Sequence, residues 1–392
     1  MLVDIESLGY PLVFKARTND PAPPGLDVKD DNIAIRSEVR ALKGMQKEAL
    51  IYNGATGTTW RMVSDEGPYL NGTDLAPFPL AFFATGMALS FVNEMLRHAA
   101  AAGVTIDHYR LTQDNFYSMD GSAIRGDMIG GALPTEMLVE IQAVAAGSAI
   151  RGIIDQAIRT SPAQVYTSRE LTSTFSLNHN GIAIDTRDVA ASRGKIPHSP
   201  ISNLQAVRPL ADDDAIEDII VKLKTADAVF GVEGGAGSSL KATQKRTLHV
   251  RATCSPGADG LRDVQAQLLK PLGSTFRFIG DDSEKERAPS SLDYLAAGVG
   301  FCFMTQIGRY ALIVKHDLRE YSIVQDTVFR IGADSAGAEP VETHTFLSTG
   351  EDDQAAQKTL SMSERTCFLH AAMRGSNQTQ VTVQLNNRLL EG

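Results

Sequence analysis

Cysteine, tryptophan and basic charge are all scarce in this chain of 392 residues. It holds three cysteines and one tryptophan, and 47 acidic residues outnumber 37 basic ones, for a formal net charge of −10. Three cysteines are too few for the disulfide framework of a small secreted protein. Because nucleic-acid binding needs basic residues clustered on one face, the acidic balance and the scattered Lys and Arg predict a protein that does not bind nucleic acid.

A long apolar run is also missing. The longest one, residues 78–92, is shorter than the roughly 20 residues that a membrane-spanning helix needs. Acids stand near the N-terminus where a signal peptide would carry basic residues, so we expect a cytoplasmic protein with no membrane segment. The length and the hydrophobic content of 43% predict a globular protein with room for two domains.

The sequence has no motif for a metal or another cofactor, and none is expected. Its eight histidines show neither HxxxH spacing nor a Cys/His cluster. The glycine-rich residues 231–239 lack the Lys of a phosphate-binding loop and favour a hairpin tip or a flexible loop. The basic residues 241–246 are interpreted as a solvated stretch before a strand.

What the sequence does contain is an internal repeat. Residues 80–114 align with residues 292–326 without a gap, and nine of the 35 aligned positions are identical. Two further blocks recur in the same order, because residues 59–65 mirror 275–281 and the Arg-Thr pair at 159–160 returns at 365–366. A repeat of this kind predicts a tandem duplication. The predicted division is an N-terminal module at 1–190, a linker at 191–210 and a C-terminal module at 211–392.

Both copies predict the same succession of elements: a strand, a long buried helix, two strands, a second helix and a closing strand. The predicted bounds are 58–63, 80–101, 106–116, 136–143, 148–158 and 172–177 in the first copy, and 274–279, 292–314, 318–329, 342–347, 352–362 and 379–385 in the second. Strands and helices mix without a regular βαβ alternation, which predicts an α+β fold. Residues 211–225 are predicted to form an amphipathic helix with acids in its first turn.

Two of the cysteines occupy matching places in the repeat. Cys302 lies within the long apolar helix and Cys367 precedes the closing strand, where the first copy has Ser90 and Ser161. If the two sulfurs meet, a thiolate can attack a peroxide to give a sulfenic acid, and the second thiol can condense with it to a disulfide. The alternative for Cys302 is a small apolar residue in a buried helix. Cys254 has no counterpart and is interpreted as a bystander.

These motifs resemble the OsmC/Ohr family, which are thiol-dependent peroxidases for organic hydroperoxides. The segment AAGVGFCF at 296–303 is similar to the first cysteine segment of the family, and CFLHAAMRG at 367–375 is similar to the second. The resemblance implies that Cys302 is the attacking thiolate and Cys367 the resolving thiol. It also implies modules with a long central helix packed on an antiparallel sheet. Since family members form intertwined dimers, the two fused copies would form a pseudo-dimer within one chain.

Two supporting residues of the family are not both matched. The family carries a Glu about ten residues before the first cysteine, and this Glu orients an Arg onto the thiolate. Here position 292 is Leu and the nearest acid is Asp293, while Arg277 is a candidate for the arginine, with Arg251 and Arg61 as further candidates. The predicted catalytic set is therefore Cys302, Cys367, Asp293 and Arg277.

The predicted partners are a small apolar substrate and a dithiol reductant, and further homo-oligomerisation stays open. Two alternatives to a peroxidase remain at this point. One is a cofactor-free hydrolase or lyase on the same scaffold, and the other is a non-catalytic protein that binds an apolar ligand between its halves.

Overall fold

The computed structural model describes residues 3–17, 32–211, 216–226 and 246–390. The helices are α1 (Ile5–Leu8), α2 (Pro79–Ala101), α3 (Gly147–Thr160), α4 (Pro162–Ser168), α5 (Ile201–Ala206), α6 (Ser291–Val314), α7 (Asp353–Thr366) and α8 (Phe368–Arg374). The strands are β1 (Val13–Arg17), β2 (Asn32–Ala41), β3 (Lys47–Asn53), β4 (Thr59–Ser64), β5 (Ile106–Asp120), β6 (Ile129–Ala132), β7 (Glu136–Ala143), β8 (Thr174–His179), β9 (Ile182–Ile184), β10 (Arg208–Pro209), β11 (Ile220–Lys224), β12 (Arg246–Pro256), β13 (Arg262–Lys270), β14 (Thr275–Gly280), β15 (Leu318–Arg330), β16 (Gly337–Ala338), β17 (Glu342–Thr349), β18 (Gln380–Leu385) and β19 (Arg388–Leu389). The predicted α+β class is confirmed.

Two large sheets form, and each takes strands from both halves of the chain. The first has the order β10-β1-β4-β3-β2-β15-β17-β8-β9, with β16 beside β15, and the second has the order β11-β14-β13-β12-β5-β7-β18-β19, with β6 beside β5. In both sheets an antiparallel pair joins the halves, β2 with β15 and β12 with β5. Each sheet also contains one parallel pair that joins the two halves, β17 with β8 in the first sheet and β7 with β18 in the second. Neither half therefore has a complete sheet of its own.

The long helices α2 and α6 pack against each other at the centre of the molecule. Their closest approach is at two glycines that occupy the same position in the repeat. A Cβ atom at Gly86 would lie 2.6 Å from the backbone nitrogen of Leu295, and one at Gly298 would lie 2.6 Å from that of Phe83. Both glycines therefore recur because the helix backbones touch there. By length and hydropathy each helix could also span a membrane, and most of each is buried within the protein.

The twelve predicted elements are all present, with small shifts at their ends. The predicted helix at 211–225 is wrong, because Ile220–Lys224 forms β11 and pairs with the edge of β14. Its β-branched residues fit a strand, and Lys222 is held there by the carboxylate of Asp74 at 3.0 Å. The predicted linker carries α5 and β10. The predictions for 231–239 and for 241–245 lie outside the described residues.

A candidate thiol site on the central helix

The sulfur atoms of Cys302 and Cys367 are in contact. Cys302 Sγ lies 3.4 Å from Cys367 Sγ. Cys302 is in the middle of α6, while Cys367 ends α7 and begins α8. Both side chains are buried, with Cys302 2% exposed and Cys367 0%. Since a disulfide has an S–S distance of about 2.05 Å, the sulfurs need approach by little more than an ångström to bond.

The first half of the chain has the same arrangement with hydroxyl groups. Ser90 Oγ on α2 lies 2.8 Å from Ser161 Oγ, and both side chains are buried. Ser161 separates α3 from α4, just as Cys367 separates α7 from α8. The aligned positions therefore meet in both halves, as two serines in one and two thiols in the other.

The imidazole of His370 is among the groups that act electrostatically on Cys367. It lies three residues after Cys367 on α8 and is 1% exposed. Its ring packs on Phe303, with centroids 5.0 Å apart, and on Phe175 at 5.6 Å. Neither ring nitrogen has a partner at hydrogen-bond geometry within the described residues, although the ring is close enough to act on the charge of Cys367.

The two thiols differ in their electrostatic surroundings. Burial raises the pKa of Cys302, and its contact with Cys367 raises it further. Burial also raises the pKa of Cys367, but the interaction with Cys302, the His370 imidazole and the main-chain N–H of His370 more than offset this, so that its pKa lies well below the usual range. Because the sulfurs are in contact, the two thiols titrate as a pair, and the neighbouring imidazole favours the loss of one proton from that pair.

Two tyrosine hydroxyls from the first half also face this region. Tyr117 on β5 acts electrostatically on both sulfurs, and Tyr166 on α4 acts on Cys367. Both side chains are buried, and neither hydroxyl has a hydrogen-bond partner among the described residues. Burial raises the pKa of both tyrosines, so both are neutral and each keeps an O–H group that can donate a hydrogen bond.

A buried acid and a buried lysine from the first half approach Cys302. Glu66 accepts hydrogen bonds from Thr305 Oγ1 on α6 at 3.0 Å and from Tyr69 Oη at 2.7 Å. Lys47 is 0% exposed, and its Nζ donates to Met45 O at 2.5 Å. Burial lowers the pKa of Lys47 and raises the pKa of Glu66, while their opposite charges counteract both shifts. Lys47 and Glu66 were not predicted as site residues, because no pattern in the sequence indicates that the start of β3 and the residue after β4 lie beside α6.

The predicted supporting residues do not reach the sulfurs. Asp293 caps the start of α6, where it accepts from Ser290 N at 2.8 Å and from Asn53 Nδ2 at 3.0 Å. It precedes Cys302 by nine residues, which is about 13 Å along a helix. Arg277 donates to Asp218 O at 3.1 Å, on the side of β14 away from the core.

Strand alternation explains why Arg277 on β14 and Arg61 on β4 do not face the central helices. Phe276 and Phe278 point into the core and Arg277 points away from it. Arg61 on β4 lies on the face of its sheet opposite Trp60 and Met62, where it is fully buried and bonds Glu48 at 2.8 Å. The remaining candidate, Arg251, binds Asp114 through two hydrogen bonds of 2.8 Å.

Two other features lie outside the thiol pair. Cys254 is fully buried on β12, and burial raises its pKa to about 12, as expected for a bystander. Asp326, Glu342 and His344 bring potential metal ligands within 4.8 Å of one another. Arg36 already binds both oxygens of Asp326 at 2.7 Å, so this cluster is accounted for as an ion-pair network between the halves.

Comparisons with known proteins point to one family. The family model described as OsmC-like protein matches residues 280–383, which include both cysteines of the thiol pair. No curated protein matches the chain. A solved OsmC-like hydroperoxide resistance protein from Jannaschia sp. CCS1 is similar, with 21% identity, a TM-score of 0.25, and coverage of 36% of this chain and 97% of that one. Residues 280–383 of this chain are therefore similar to the OsmC-like family.

Proposed function

We propose that this protein is a thiol-dependent peroxidase that reduces organic hydroperoxides through Cys302 and Cys367. The observation that carries the proposal is the 3.4 Å contact between their sulfurs. Both residues belong to the segment that matches the OsmC-like family. Two thiols this close, one of which gives up its proton readily, are suited to two-electron chemistry that ends in a disulfide.

The reaction needs no cofactor. One thiolate attacks the terminal oxygen of the hydroperoxide, the O–O bond breaks, and the alcohol leaves after it takes up a proton. The attacking sulfur becomes a sulfenic acid. The second thiol attacks that sulfur, an S–S bond forms, and water leaves. An external dithiol, which is the partner we propose, then reduces the disulfide by two exchange steps and becomes oxidised itself.

The surroundings of the thiols favour a substrate with an apolar substituent. Val299, Phe301, Phe303 and Met304 on α6 are all 0% exposed and belong to the core. A hydroperoxide with an alkyl or aryl group can replace core contacts as it enters, whereas a charged one would lose its hydration without compensation. Because both sulfurs are buried, entry requires neighbouring side chains to move.

We also propose that the chain is a duplicated, intramolecular pseudo-dimer made of modules at 1–190 and 211–392. Equivalent ion pairs join the halves, Arg36 with Asp326 in one sheet and Arg251 with Asp114 in the other. The matching strand orders of the two sheets and the repeated glycines of the central helices support the same reading. The first half, with serines in place of thiols, would then be the silent copy. A cytoplasmic location, where dithiol reductants are maintained, fits this activity.

A thiol titration tests the proposed function. Free thiols are counted in the denatured protein before and after one equivalent of cumene hydroperoxide, in the wild type, in Cys302→Ser and in Cys254→Ser. The wild type and Cys254→Ser should each lose two thiols, and peptide mapping should identify a disulfide between Cys302 and Cys367. Unchanged thiol counts in the wild type with excess hydroperoxide would rule out the peroxidase and favour the hydrolase or ligand-binding alternatives.

A further inference from the structure

A small polar cavity lies on the outer face of the second sheet, away from the thiol pair. Its volume is about 170 Å³, and it is formed by β5, β7, β18 and the turn after β18. Six polar side chains line it, those of His108, Arg110, Glu140, Gln142, Gln384 and Asn387. Tyr109 and Leu111 of β5 point into the core. The alternation of the strand therefore places the two cavity residues of β5 on the side of the sheet away from the central helices.

The cavity holds charges of both signs that do not neutralise each other. Arg110 and Glu140 lie directly opposite each other on β5 and β7. Neither side chain has an ion pair or a hydrogen bond with another residue in the described part of the chain. Three pairs opposed in the same way are bonded at 2.5 to 2.8 Å, namely Arg36–Asp326, Arg40–Glu48 and Arg251–Asp114. The guanidinium of Arg110 and the carboxylate of Glu140 are therefore both available to a ligand.

The matching place in the first sheet has no such charges. Its strands pair in the same way, with Ser322 opposite Phe346 and Phe346 beside Asn178. These three residues stand where the second sheet has its opposed Arg and Glu and, next to them, Gln384. Ser199, from the segment before α5, contacts Ser322 there at 3.4 Å. The chain itself therefore covers this place in the first sheet, while the second sheet has a charged cavity.

The next register position differs between the sheets in the same sense. His108 lies opposite Gln142 in the second sheet, and among the described residues neither side chain has a hydrogen-bond partner. The first sheet has Glu320 opposite Ser348 there. An acid next to Arg110 would repel an anion that binds the guanidinium. The imidazole at this position therefore favours an anionic group beside Arg110.

The turn after β18 adds a polar group that the turn itself does not need. Asn386 and Asn387 have positive φ angles of 50° and 63°. The same turn in the first half is Asn180-Gly181, and Asn180 and Asn386 each accept from the main chain of the neighbouring strand, at 3.0 Å and 3.2 Å. Glycine adopts a positive φ without strain, so the turn gains nothing from asparagine at its second position. The side chain of Asn387 lines the cavity.

We infer that this cavity binds a free α-amino acid with a short polar side chain. The carboxylate of the amino acid binds Arg110, whose guanidinium can donate two parallel hydrogen bonds to it. The ammonium group binds Glu140, and the amide groups at the rim bind the side chain. A simple anion would lie beside Glu140 and a simple cation beside Arg110, and either like-charge contact is unfavourable.

The size of the cavity agrees with such a ligand. Its volume of about 170 Å³ is below the roughly 300 Å³ at which pockets for drug-sized molecules begin, so the occupant has few atoms. The binding is independent of the proposed peroxidase, because the cavity and the thiol pair lie on opposite sides of the second sheet.

Isothermal titration calorimetry of the full chain tests the site with L-glutamine, L-serine, acetate and methylammonium as probes. At least one of the two amino acids should bind about tenfold or more tightly than acetate and methylammonium, because only a zwitterion meets both charges. No binding of either amino acid at about 10 mM would overturn the inference. Acetate that binds as tightly as the amino acids would also overturn it, since the site would then recognise an anion alone.

Two substitutions locate the bound amino acid. Arg110→Gln and Glu140→Gln each remove one charge and keep a polar side chain, and each should weaken binding about tenfold or more. Glu136→Gln is the matched control, because Glu136 lies on the same strand and the same face but outside the cavity. Its affinity should stay within about twofold of wild type. Wild-type affinity in both cavity variants, with all proteins folded by circular dichroism, would place the amino acid elsewhere and overturn the assignment.

Discussion

Ser90 Oγ and Ser161 Oγ lie 2.8 Å apart at the positions that align with Cys302 and Cys367. The shared geometry means that the packing of the central helix against the following helix pair does not depend on sulfur. It depends on small side chains that fit between α2 or α6 and the junction of two helices. The two halves therefore share one framework at this place and differ in whether the two side chains carry oxygen or sulfur. Replacing the serines of the first half by cysteines should create the same thiol pair there.

The first prediction uses this transfer. Ser90→Cys with Ser161→Cys should create a second thiol pair, which diamide closes to a disulfide in the folded protein. It should not react with one equivalent of cumene hydroperoxide, because Gln164 stands at the position that aligns with His370. Adding Gln164→His should confer that reactivity. Thiol counts and peptide mapping measure both steps, and Ser90→Cys alone is the control that has no partner thiol. Rapid peroxide oxidation of the double variant without the histidine would contradict the expected contribution of an imidazole beside the thiol pair.

The second prediction concerns the crossing of the two central helices. Gly86→Ala and Gly298→Ala each place a Cβ atom 2.6 Å from backbone of the facing helix, so the helices must separate. Each should lower the free energy of unfolding by about 1–3 kcal/mol, or more if the separation spreads.

Gly152→Ala is the matched control for these substitutions. It lies within α3, and a Cβ atom there meets no other atom within 4 Å. Its free energy of unfolding should rise by about 0.5–1 kcal/mol, because alanine favours a helix. Denaturant unfolding measures all three variants, and equal effects at the three sites would contradict the close contact of α2 with α6.

The third prediction is a pH dependence of stability that arises from Asp293. Burial raises its pKa in the folded protein from 3.8 to about 7. Between these values the unfolded chain releases the proton and the folded protein keeps it, so stability falls as the pH rises from about 4 to about 7. The shift of about 3 units, at about 1.4 kcal/mol each, limits the effect to about 4 kcal/mol.

Asp293→Asn removes this ionisation and keeps a side chain of the same size. Its free energy of unfolding should be lower than that of the wild type at pH 4, because the amide has one acceptor oxygen where the carboxyl group accepts from both Ser290 N and Asn53 Nδ2. The deficit should shrink or reverse by pH 8. A deficit that grows with pH would show that the folded protein holds Asp293 charged, as a salt-bridged carboxylate would be.

The sequence predicts the long helices, the strands that follow them and the alignment of the two sulfurs, because each depends on local periodicity or on the repeat. Arg277 could have been rejected from the sequence as well, since it alternates with two phenylalanines that define the buried face. The roles of Lys47 and Glu66 could not be predicted. They reach α6 only because β2 pairs with β15 of the other half, and no local pattern specifies that exchange.

His370 is an intermediate case. Its spacing of three residues from Cys367 places it one helical turn away, which any helix prediction for 368–374 would give. Its lack of hydrogen bonds depends on Phe175 from the first half and Phe303 from α6, which close around the ring. Long-range contacts therefore decide that this helical histidine is buried in the core near the thiol pair.

The last prediction separates the electrostatics of the two sulfurs. Lys47 acts on Cys302, whereas His370 acts on Cys367. Lys47→Met removes the cation and keeps the buried volume, and Glu66 can take up a proton because burial already raises its pKa. If Cys302 is the attacking thiolate, as the family resemblance implies, the rate of thiol oxidation by cumene hydroperoxide should fall about tenfold or more in Lys47→Met and stay within about threefold of wild type in His370→Gln. The rates are measured on protein that circular dichroism finds folded. A loss of about tenfold or more in His370→Gln, with Lys47→Met unaffected, would instead place the attacking thiolate at Cys367.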